Sequence, residues 1–245
     1  MKQTIKIITT SWDDGYPLDL YLAEKLAKYG IKGTFFIPVQ NPERPVMKVS
    51  EIRNLREMGM EIGAHTVTHC VLPGHSEDKI KAELEEGKKF LEDILGEEIY
   101  GFCYPKGKFS KKVKQLVQKS GYRYARTTIS FCIDINDPYS MPTSFQLFPH
   151  SRITHIRHAL KEFNYCGLKR WLLKWKAETD LLSLTHLILK DILKEGGVFH
   201  LWGHSWEIQK MELWHKLDDI LQILIEYSDY FEILTNNEII LRFFR

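Results

Sequence analysis

Apolar and polar positions along the chain follow two alternating patterns. Short runs rich in β-branched and aromatic residues predict strands, and longer stretches with apolar residues at helical spacing predict amphipathic helices. The predicted strands cover residues 5–10, 33–39, 60–64, 99–104, 122–127, 197–202 and 231–234. The predicted helices cover residues 18–29, 77–95 and 211–227, together with one capped by Ser50 and ending at Gly59 and one opened by Ser110.

Strands that alternate with helices indicate a parallel sheet covered by helices. About seven strands suit a barrel or a partly open barrel, and a doubly wound sheet is the competing architecture. We therefore predict an α/β fold, a distorted (β/α)7-type barrel of mostly parallel strands. Between residues 128 and 149 the pattern blurs, and a hairpin and an irregular pair of segments are equally open there.

An aromatic-rich stretch over residues 155–194 interrupts the alternation and is predicted to be wholly helical. We interpret it as a helical insertion that shapes the choice of substrate or forms the surface of a homo-oligomer. The chain has 245 residues and contains no linker, fixed-period repeat or low-complexity segment. A single domain over residues 1–245 is therefore expected, since α/β barrels often use a chain of this length as one unit.

Charge and cysteine content exclude several classes of protein. The 34 basic and 32 acidic residues nearly balance, which argues against an extensive nucleic-acid-binding surface. The four cysteines form no CxxC pair, so zinc knuckles and thioredoxin-like motifs are absent from the sequence. The first six residues do not resemble a signal peptide, and no segment approaches the ~20 apolar residues of a membrane span. We expect a cytoplasmic protein with reduced thiols.

Two adjacent acids, Asp13 and Asp14, follow the first predicted strand and precede Gly15. The carboxyl ends of parallel strands are where barrel folds build their active sites. Asp-Asp-Gly is also favourable turn chemistry, because Asp tolerates turns and Gly readily adopts positive φ. The pair by itself therefore leaves a catalytic and a purely structural interpretation open.

Two histidines, His65 and His69, follow the third predicted strand and are spaced so that both can reach one ion. Such a pair also arises by chance. If its strand lies beside the first one, a carboxylate and two imidazoles converge and leave a coordination position open, as in a catalytic metal site. The donor set favours zinc, while cobalt, manganese, nickel or iron would fit similar geometry.

The segments Ser11-Trp12-Asp13-Asp14-Gly15 and His65-Thr66-Val67-Thr68-His69 resemble the first two signatures of the polysaccharide deacetylases, the fourth carbohydrate-esterase family. Both motifs occur in the family's order and spacing. The resemblance implies that Asp13 is the catalytic base and that Asp14, His65 and His69 bind the metal. It extends over most of the chain from Ile5 to about Leu234 and leaves the helical insertion unmatched.

The third family signature resembles Tyr104-Pro105-Lys106-Gly107, a variant form of the motif. The resemblance implies that the backbone N–H of Lys106 stabilises the oxyanion and that Tyr104 and Pro105 belong to the substrate-binding turn. A Pro followed by Gly after a strand also indicates an ordinary turn. Cys103 stands where the family has an arginine that pairs with the base. We predict that another cation, Arg126 or Arg152, holds Asp13, or that the base is poised differently.

The last signature resembles the strand that ends at His204, and it implies that His204 is the general acid. His200 shares a strand face with His204 but lies deeper, so we predict a hydrogen-bonded core histidine there. Trp202 and Trp206 are predicted either to pack in the core or to form a stacking wall for a sugar. For Glu207 two roles are open, orienting His204 or starting the next helix.

The resemblance implies a metal-dependent hydrolase that removes an acetyl or other acyl group from an N-acetylated amino sugar or polysaccharide. On this hypothesis Asp13 takes a proton from metal-activated water, and His204 protonates the leaving amine. The expected partner is a carbohydrate, either a soluble oligosaccharide or a lipid-linked precursor. The alternatives are a catalytically inactive metal- or sugar-binding protein, a hydrolase of another amide or O-acetyl ester, and an iron-dependent oxygenase with the same three ligands.

Overall fold

The computed structural model describes residues 5–244. The first four residues, on which part of the expectation about a signal peptide rests, lie outside this range. The strands are β1 (Lys6–Asp13), β2 (Thr34–Ile37), β3 (Glu61–Ala64), β4 (Gly101–Cys103), β5 (Tyr124–Arg126), β6 (Phe145–Gln146), β7 (Gly197–Gly203) and β8 (Glu232–Ile233). The helices are α1 (Asp19–Lys28), α2 (Val49–Glu57), α3 (Glu77–Leu95), α4 (Lys111–Lys119), α5 (Arg152–Lys161), α6 (Tyr165–Leu173), α7 (Leu181–Glu195), α8 (Ser205–Lys210), α9 (Trp214–Glu226) and α10 (Asn236–Phe243).

All of these strands join one parallel sheet in the order β5-β4-β3-β2-β1-β7-β6, and β8 pairs with β1 off this path. The sheet curls into a half-barrel, which confirms the predicted α/β fold with a distorted (β/α)7-type barrel. The long central strand β1 is buried along nearly its whole length, as expected for a parallel strand that is covered on both faces. Its apolar neighbours on the helices form the main core.

The ambiguous stretch between residues 128 and 149 closes the gap between β5 and β6. The N–H of Thr127 donates to the carbonyl of Met141 at 2.9 Å, and the N–H of Met141 donates to Ala125 at 2.9 Å. The N–H of Ser144 reaches the carbonyl of His200 on β7 at 2.8 Å. Irregular pairing of this kind, followed by the two-residue strand β6, is the second of the two options left open by the sequence.

Several predicted boundaries are wrong for identifiable reasons. Strand β1 runs three residues beyond Thr10 because Ser11, Trp12 and Asp13 pair with β2, and Ser11 and Trp12 also pair with β7. Helix α2 is capped at Lys48, whose N–H donates to Glu51 at 2.6 Å, so Ser50 lies inside the helix. Ser110 does cap α4, where its hydroxyl accepts from the backbone N–H of Val113.

The stretch predicted as wholly helical is divided into α5, α6 and α7. Asn164 caps α6 by accepting from the N–H of Gly167 at 2.9 Å, and Asp180 caps α7 by accepting from Ser183 at 2.9 Å. These polar caps begin new helices because their side chains satisfy N–H groups that a continuous helix would pair internally. No helix within residues 5–244 has both the length and the apolar content needed to cross a bilayer.

Candidate metal centre and active site

The carboxyl ends of β1, β3 and β7 and the turn after β4 surround a cavity of about 460 Å³. Every polar residue that we predicted at the ends of β1, β3 and β7 lies in the wall of this cavity. These residues are Asp13, Asp14, His65, His69 and His204. The position agrees with the general rule that parallel α/β sheets bind ligands at the carboxyl ends of their strands.

Asp14, His65 and His69 present their donor atoms to one point. The Nε2 atoms of His69 and His65 lie 3.1 and 3.8 Å from Oδ1 of Asp14. The three ligand atoms all lie within 4.8 Å of one another. Oδ1 of Asp14 is buried and has no hydrogen-bond partner among the described residues. A buried carboxylate oxygen is costly to leave unpaired, so this donor set fits a cation better than it fits a packed core.

The tautomer of His65 supports the same conclusion. Its Nδ1 lies 2.8 Å from the carbonyl oxygen of Cys103, so Nδ1–H donates there and the lone pair of Nε2 faces Asp14. Burial lowers the pKa of His65 to about 4 and also lowers the pKa of His69. Both imidazoles are therefore neutral at physiological pH, the form that binds metals.

Asp13, His65 and Cys103 form a second group with close donor atoms. Asp13 in this group is already ion-paired with Arg126. Burial raises the pKa of the Cys103 thiol well above its usual value, and a protonated thiol is a poor metal ligand. Asp14, His65 and His69 are therefore the better metal site.

The loops that carry the candidate ligands adopt unusual backbone conformations. Asp14, Thr66 and His69 all have positive φ, at 80°, 68° and 53°. Non-glycine residues rarely adopt this region, and such strain tends to occur at functional sites.

Helix α3 supports the histidine loop. The buried carboxylate of Glu83 accepts from the N–H groups of Val67 and Thr68 at 2.8 and 2.9 Å and from the Thr68 hydroxyl at 2.8 Å. One turn later Gly87 faces the same loop, and a Cβ there would lie 3.1 Å from the carbonyl carbon of Thr66. Our sequence reasoning missed Glu83. Its only signal was an acid at a position that helical periodicity places on the buried face of α3.

Asp13 is held by Arg126, the last residue of β5. The two side chains are ion-paired, and both are buried. The Sγ of Cys103 lies 3.7 Å from the other carboxylate oxygen of Asp13. Burial opposes ionisation of Asp13, but the charge of Arg126 and its hydrogen bond outweigh burial and hold the pKa of Asp13 below its ordinary value. Of the two cations considered from the sequence, Arg152 is remote and exposed, and it donates to the carbonyl of Ala177.

His204 is oriented by Glu207. Its Nδ1 lies 2.6 Å from Oε2 of Glu207, which also accepts from Gln146 at 2.7 Å. Burial works against protonation of His204, but the bond to Glu207 and the charge of Asp14 outweigh it, so the pKa of His204 is raised. Its Nε2 faces the cavity, 4.0 Å from Oδ2 of Asp14. Glu207 thus fulfils both roles that we left open, since it also lies in the first turn of α8.

Trp206 and Arg44 cover Asp14. The indole Nε1–H of Trp206 donates to Oδ2 of Asp14 at 2.9 Å. The guanidinium of Arg44 lies 3.5 Å from the centroid of the Trp206 ring, and its Nη1 is 4.0 Å from the same Asp14 oxygen. Trp206 therefore does more than pack in the core or line the cavity, because it fixes the orientation of a candidate ligand.

The turn after β4 places only one of its three predicted residues at the cavity. Lys106 lines the wall with φ of 55°. The backbone bonds of the turn run from Gly107 and Lys108 to Tyr104 and Pro105, and the N–H of Lys106 takes no part in them. The side chain of Tyr104 is buried and donates to the carbonyl of Tyr139 at 3.0 Å. Tyr104 and Pro105 are not among the described residues that line the cavity, and their place in a substrate-binding turn stays a prediction.

The two remaining predictions on β7 concern Trp202 and His200. Trp202 lines the cavity, and its buried indole N–H has no partner among the described residues. His200 is buried, with Nε2 2.7 Å from the Ser11 hydroxyl and Nδ1 3.0 Å from the carbonyl of Pro142. It is a hydrogen-bonded core histidine, as predicted.

Helix α5 and the residues around it form the far wall of the cavity. His150 packs against His155 and His158, with ring centroids 5.5 and 5.3 Å apart. Burial lowers the pKa values of His150 and His155 to about 4 and raises that of Glu162 to about 7. The helical insertion therefore shapes the cavity.

Comparisons with known proteins identify a family for this chain. A family model described as polysaccharide deacetylase matches residues 1–125. A putative polysaccharide deacetylase of Bacillus subtilis, YxkH, is 25% identical over 131 residues, which are 52% of this chain and 46% of that protein. A peptidoglycan-N-acetylglucosamine deacetylase of Bacillus cereus is 31% identical over 121 residues, 48% of this chain and 54% of that protein. The chain spans about half the length of these relatives.

Solved structures share the fold. A family 4 acetyl xylan esterase from Clostridium thermocellum, in complex with a cobalt ion, has a TM-score of 0.61 at 17% identity, covering 96% of this chain and 91% of that one. A pseudoenzyme of the CE4 family from Bacillus anthracis has a TM-score of 0.58 at 15% identity, covering 96% of this chain and 65% of that one. Likeness at these identities concerns the architecture alone.

Proposed function

The chain belongs to the polysaccharide deacetylase family, and we propose that it is a metal-dependent hydrolase that removes an acetyl group from an N-acetylated amino sugar. The observation that carries this proposal is the convergence of Asp14, His65 and His69 on one point of the cavity wall. Asp13 and His204 line the same cavity. Ligands, a base and an acid are thus present together. A cytoplasmic location stays a prediction from the sequence.

Asp14, His65 and His69 would hold a divalent metal, for which zinc is our first choice. When bound, such a metal activates water for attack and polarises the acyl carbonyl. Burial keeps both imidazoles neutral, and the carbonyl of Cys103 fixes the tautomer of His65, so both histidines are in the form that binds a metal. Trp206 and Glu83 hold Asp14 and the histidine loop in place.

Asp13 is the proposed general base. One of its oxygens is paired with Arg126, which leaves the other, near Cys103, to accept a proton from the attacking water. A lowered pKa keeps Asp13 ionised at neutral pH, as a base requires. In this chain Arg126 thus takes the role that the family's arginine would have at position 103.

Lys106 is proposed to stabilise the oxyanion, and His204 is proposed to protonate the leaving amine. The N–H of Lys106 takes no part in the backbone bonds of its turn within residues 5–244, so it is the proposed donor for the oxyanion. A preorganised donor needs no rearrangement as charge develops. His204, with its raised pKa, donates a proton from Nε2 to the leaving amine. Glu207 holds the opposite nitrogen of the ring so that Nε2 faces the cavity.

Elemental analysis of the purified chain together with an acetate-release assay tests the proposal. We expect about one equivalent of metal per chain, and acetate from N-acetylated chitooligosaccharides or small amino sugars. Asp14→Ala, His65→Ala and His69→Ala should lose both metal and turnover. His75→Ala, an exposed histidine outside the cavity, is the matched control and should retain both.

The outcomes separate the alternatives. Unaltered metal content in all three ligand variants would remove the proposed centre. Bound metal without acetate release from amino sugars or from acetylated xylan would indicate an inactive binding protein. If acetate is released only from acetylated xylan, the metal centre stands and the substrate is an O-acetyl ester instead of an amide.

A further inference from the structure

The helical insertion carries an unusual surface that the proposed chemistry does not use. We define the α5–α6 hairpin as residues 151–176, which include both helices, their connection and the residues that follow. It contains seven Lys and Arg residues and one acid, Glu162, a formal charge of +6. Because the whole chain carries +2, the remainder carries −4. Positive charge is therefore concentrated in this one element.

The same hairpin exposes large apolar side chains. Phe163, Leu173 and Ile153 are 77%, 70% and 68% exposed. Half of the large hydrophobic side chains that are exposed within residues 5–244 lie here, and the other three are Leu160, Tyr165 and Leu172. Exposed apolar side chains grouped in one element mark an interaction surface, whereas scattered ones need no explanation.

Helical spacing interleaves these side chains with the cations. On α5 the exposed residues Ile153, Arg157 and Leu160 follow one another at intervals of four and three, so they lie on one face. The opposite face of α5 buries His155 and Ala159. On α6 the exposed residues Tyr165, Lys169 and Leu172 repeat the same spacing, while Gly167 and Trp171 are buried. Phe163 protrudes from the connection between the two helices.

Several of the cations are free to bind a partner. Arg157, Lys161, Lys169 and Lys176 are exposed and form no ion pair within residues 5–244. Arg170 and Lys174, in contrast, are paired with Asp191 and Glu195. Free cations beside protruding aromatic and aliphatic side chains are the pattern of helices that lie in the interface of an anionic membrane.

We propose that the α5–α6 hairpin docks the protein on the surface of an anionic lipid bilayer. The cations bind lipid phosphates, and Ile153, Phe163 and Leu173 enter the boundary between headgroups and acyl chains. A second copy of the chain is disfavoured as the occupant, because a twofold interface would place the +6 hairpin against itself. Lys161 and His158 also line the cavity, so docking would bring the cavity to the membrane surface.

Vesicle flotation of the full chain tests this proposal. We expect the protein to float with vesicles of phosphatidylglycerol and phosphatidylcholine, not with phosphatidylcholine alone, and to detach as salt is raised. The variant Arg157→Gln/Lys161→Gln/Lys169→Gln should lower the partition coefficient roughly 100-fold. The variant Ile153→Gln/Phe163→Asn/Leu173→Gln should weaken binding as well, because it removes the inserting side chains. All six positions are exposed, and thermal melting checks that both variants fold.

Matched controls come from other surfaces. Lys111→Gln/Lys119→Gln/Lys190→Gln removes the same charge from exposed positions outside the hairpin, and Tyr230→Asn removes an exposed aromatic ring. Both controls should float like the unmodified chain. Absence of flotation with anionic vesicles would overturn the proposal, as would unchanged flotation of the two hairpin variants. Loss in the charge variant alone would also overturn it, because the surface would then bind any polyanion, such as a nucleic acid or an acidic protein.

Discussion

Arg126 and Asp13 are ion-paired in the interior although their strands, β5 and β1, lie four positions apart in the sheet. The sheet curls, so the carboxyl ends of β5 and β1 face each other at the cavity. The irregular segment after β5 holds Arg126 in place. The guanidinium also lies 4.9 Å from the centroid of the Trp202 ring on β7. One side chain from β5 therefore contacts two adjacent central strands, β1 and β7.

Replacing Arg126 by Met should destabilise the fold and stop turnover. Breaking a buried ion pair leaves an uncompensated charge and costs about 3–5 kcal/mol in the free energy of unfolding. The double variant Arg126→Met/Asp13→Asn should recover much of this loss in denaturant unfolding but no activity. Arg123→Met, which removes a guanidinium stacked on Tyr100, is the control. Equal stability of the single and double variants would contradict the pairing.

Trp206→Phe should weaken metal binding without disturbing the fold. The substitution keeps an aromatic ring under Arg44 but removes the N–H that holds Asp14. Loss of such a supporting bond typically lowers metal affinity about 10–100-fold, measurable by competition with a chelator. Trp214→Phe removes an indole bond to Gln209, neither of which lines the cavity, and should leave affinity unchanged. Identical affinities in the two variants would show that the bond to Asp14 is unimportant.

Glu83→Ala should damage both stability and the metal site. Two backbone N–H groups of the histidine loop lose their acceptor, which costs about 2–3 kcal/mol in the free energy of unfolding. We expect lower metal affinity as well, because His65 and His69 flank this loop. Glu86→Ala, an exposed acid on the same helix, should change neither quantity. Full metal affinity in Glu83→Ala would mean that the histidine loop keeps its shape without the hydrogen bonds to Glu83.

His204→Ala should lower kcat by about 10²–10⁴-fold while the metal stays bound, because general acids contribute on this scale. Glu207→Ala should lower kcat less and leave KM nearly unchanged, since it acts by orienting His204. Steady-state kinetics on metal-loaded protein separates the two effects. A larger loss of kcat in Glu207→Ala than in His204→Ala would contradict the proposal that Glu207 acts through His204.

Glu162→Gln should stabilise the protein at alkaline pH. Burial raises the pKa of Glu162 in the folded chain to about 7, above its ordinary value near 4.5. Between these two pH values the unfolded chain releases the proton and the folded chain keeps it, so stability falls as pH rises through this window. Glutamine does not ionise, so the variant does not lose stability as the pH rises. Its melting temperature should exceed that of the unmodified chain at pH 8, and the difference should vanish near pH 4.

Much of this protein follows from local pattern. The alternation of short apolar runs with amphipathic stretches predicts a parallel α/β sheet, because strand and helix periods are properties of neighbouring residues. The same pattern places Asp14, His65 and His69 at strand ends, where parallel topology forces them to one edge. The order of residues along the chain therefore suggests a metal site at this edge, whereas the choice of Asp14 over Asp13 as a ligand rests on the family resemblance.

Other features depend on contacts between residues distant in sequence. The partner of Asp13 has no local signature, since Arg126 is 113 residues away. The position of Glu83 on the buried face of α3 is a local signal, but it does not reveal which loop the carboxylate supports. Tyr104 illustrates the converse, because the family resemblance assigns it to the substrate-binding turn, whereas packing buries its ring in the core. Sequence periodicity determines which face of an element is apolar, whereas the curl of the sheet decides which side chains meet inside it.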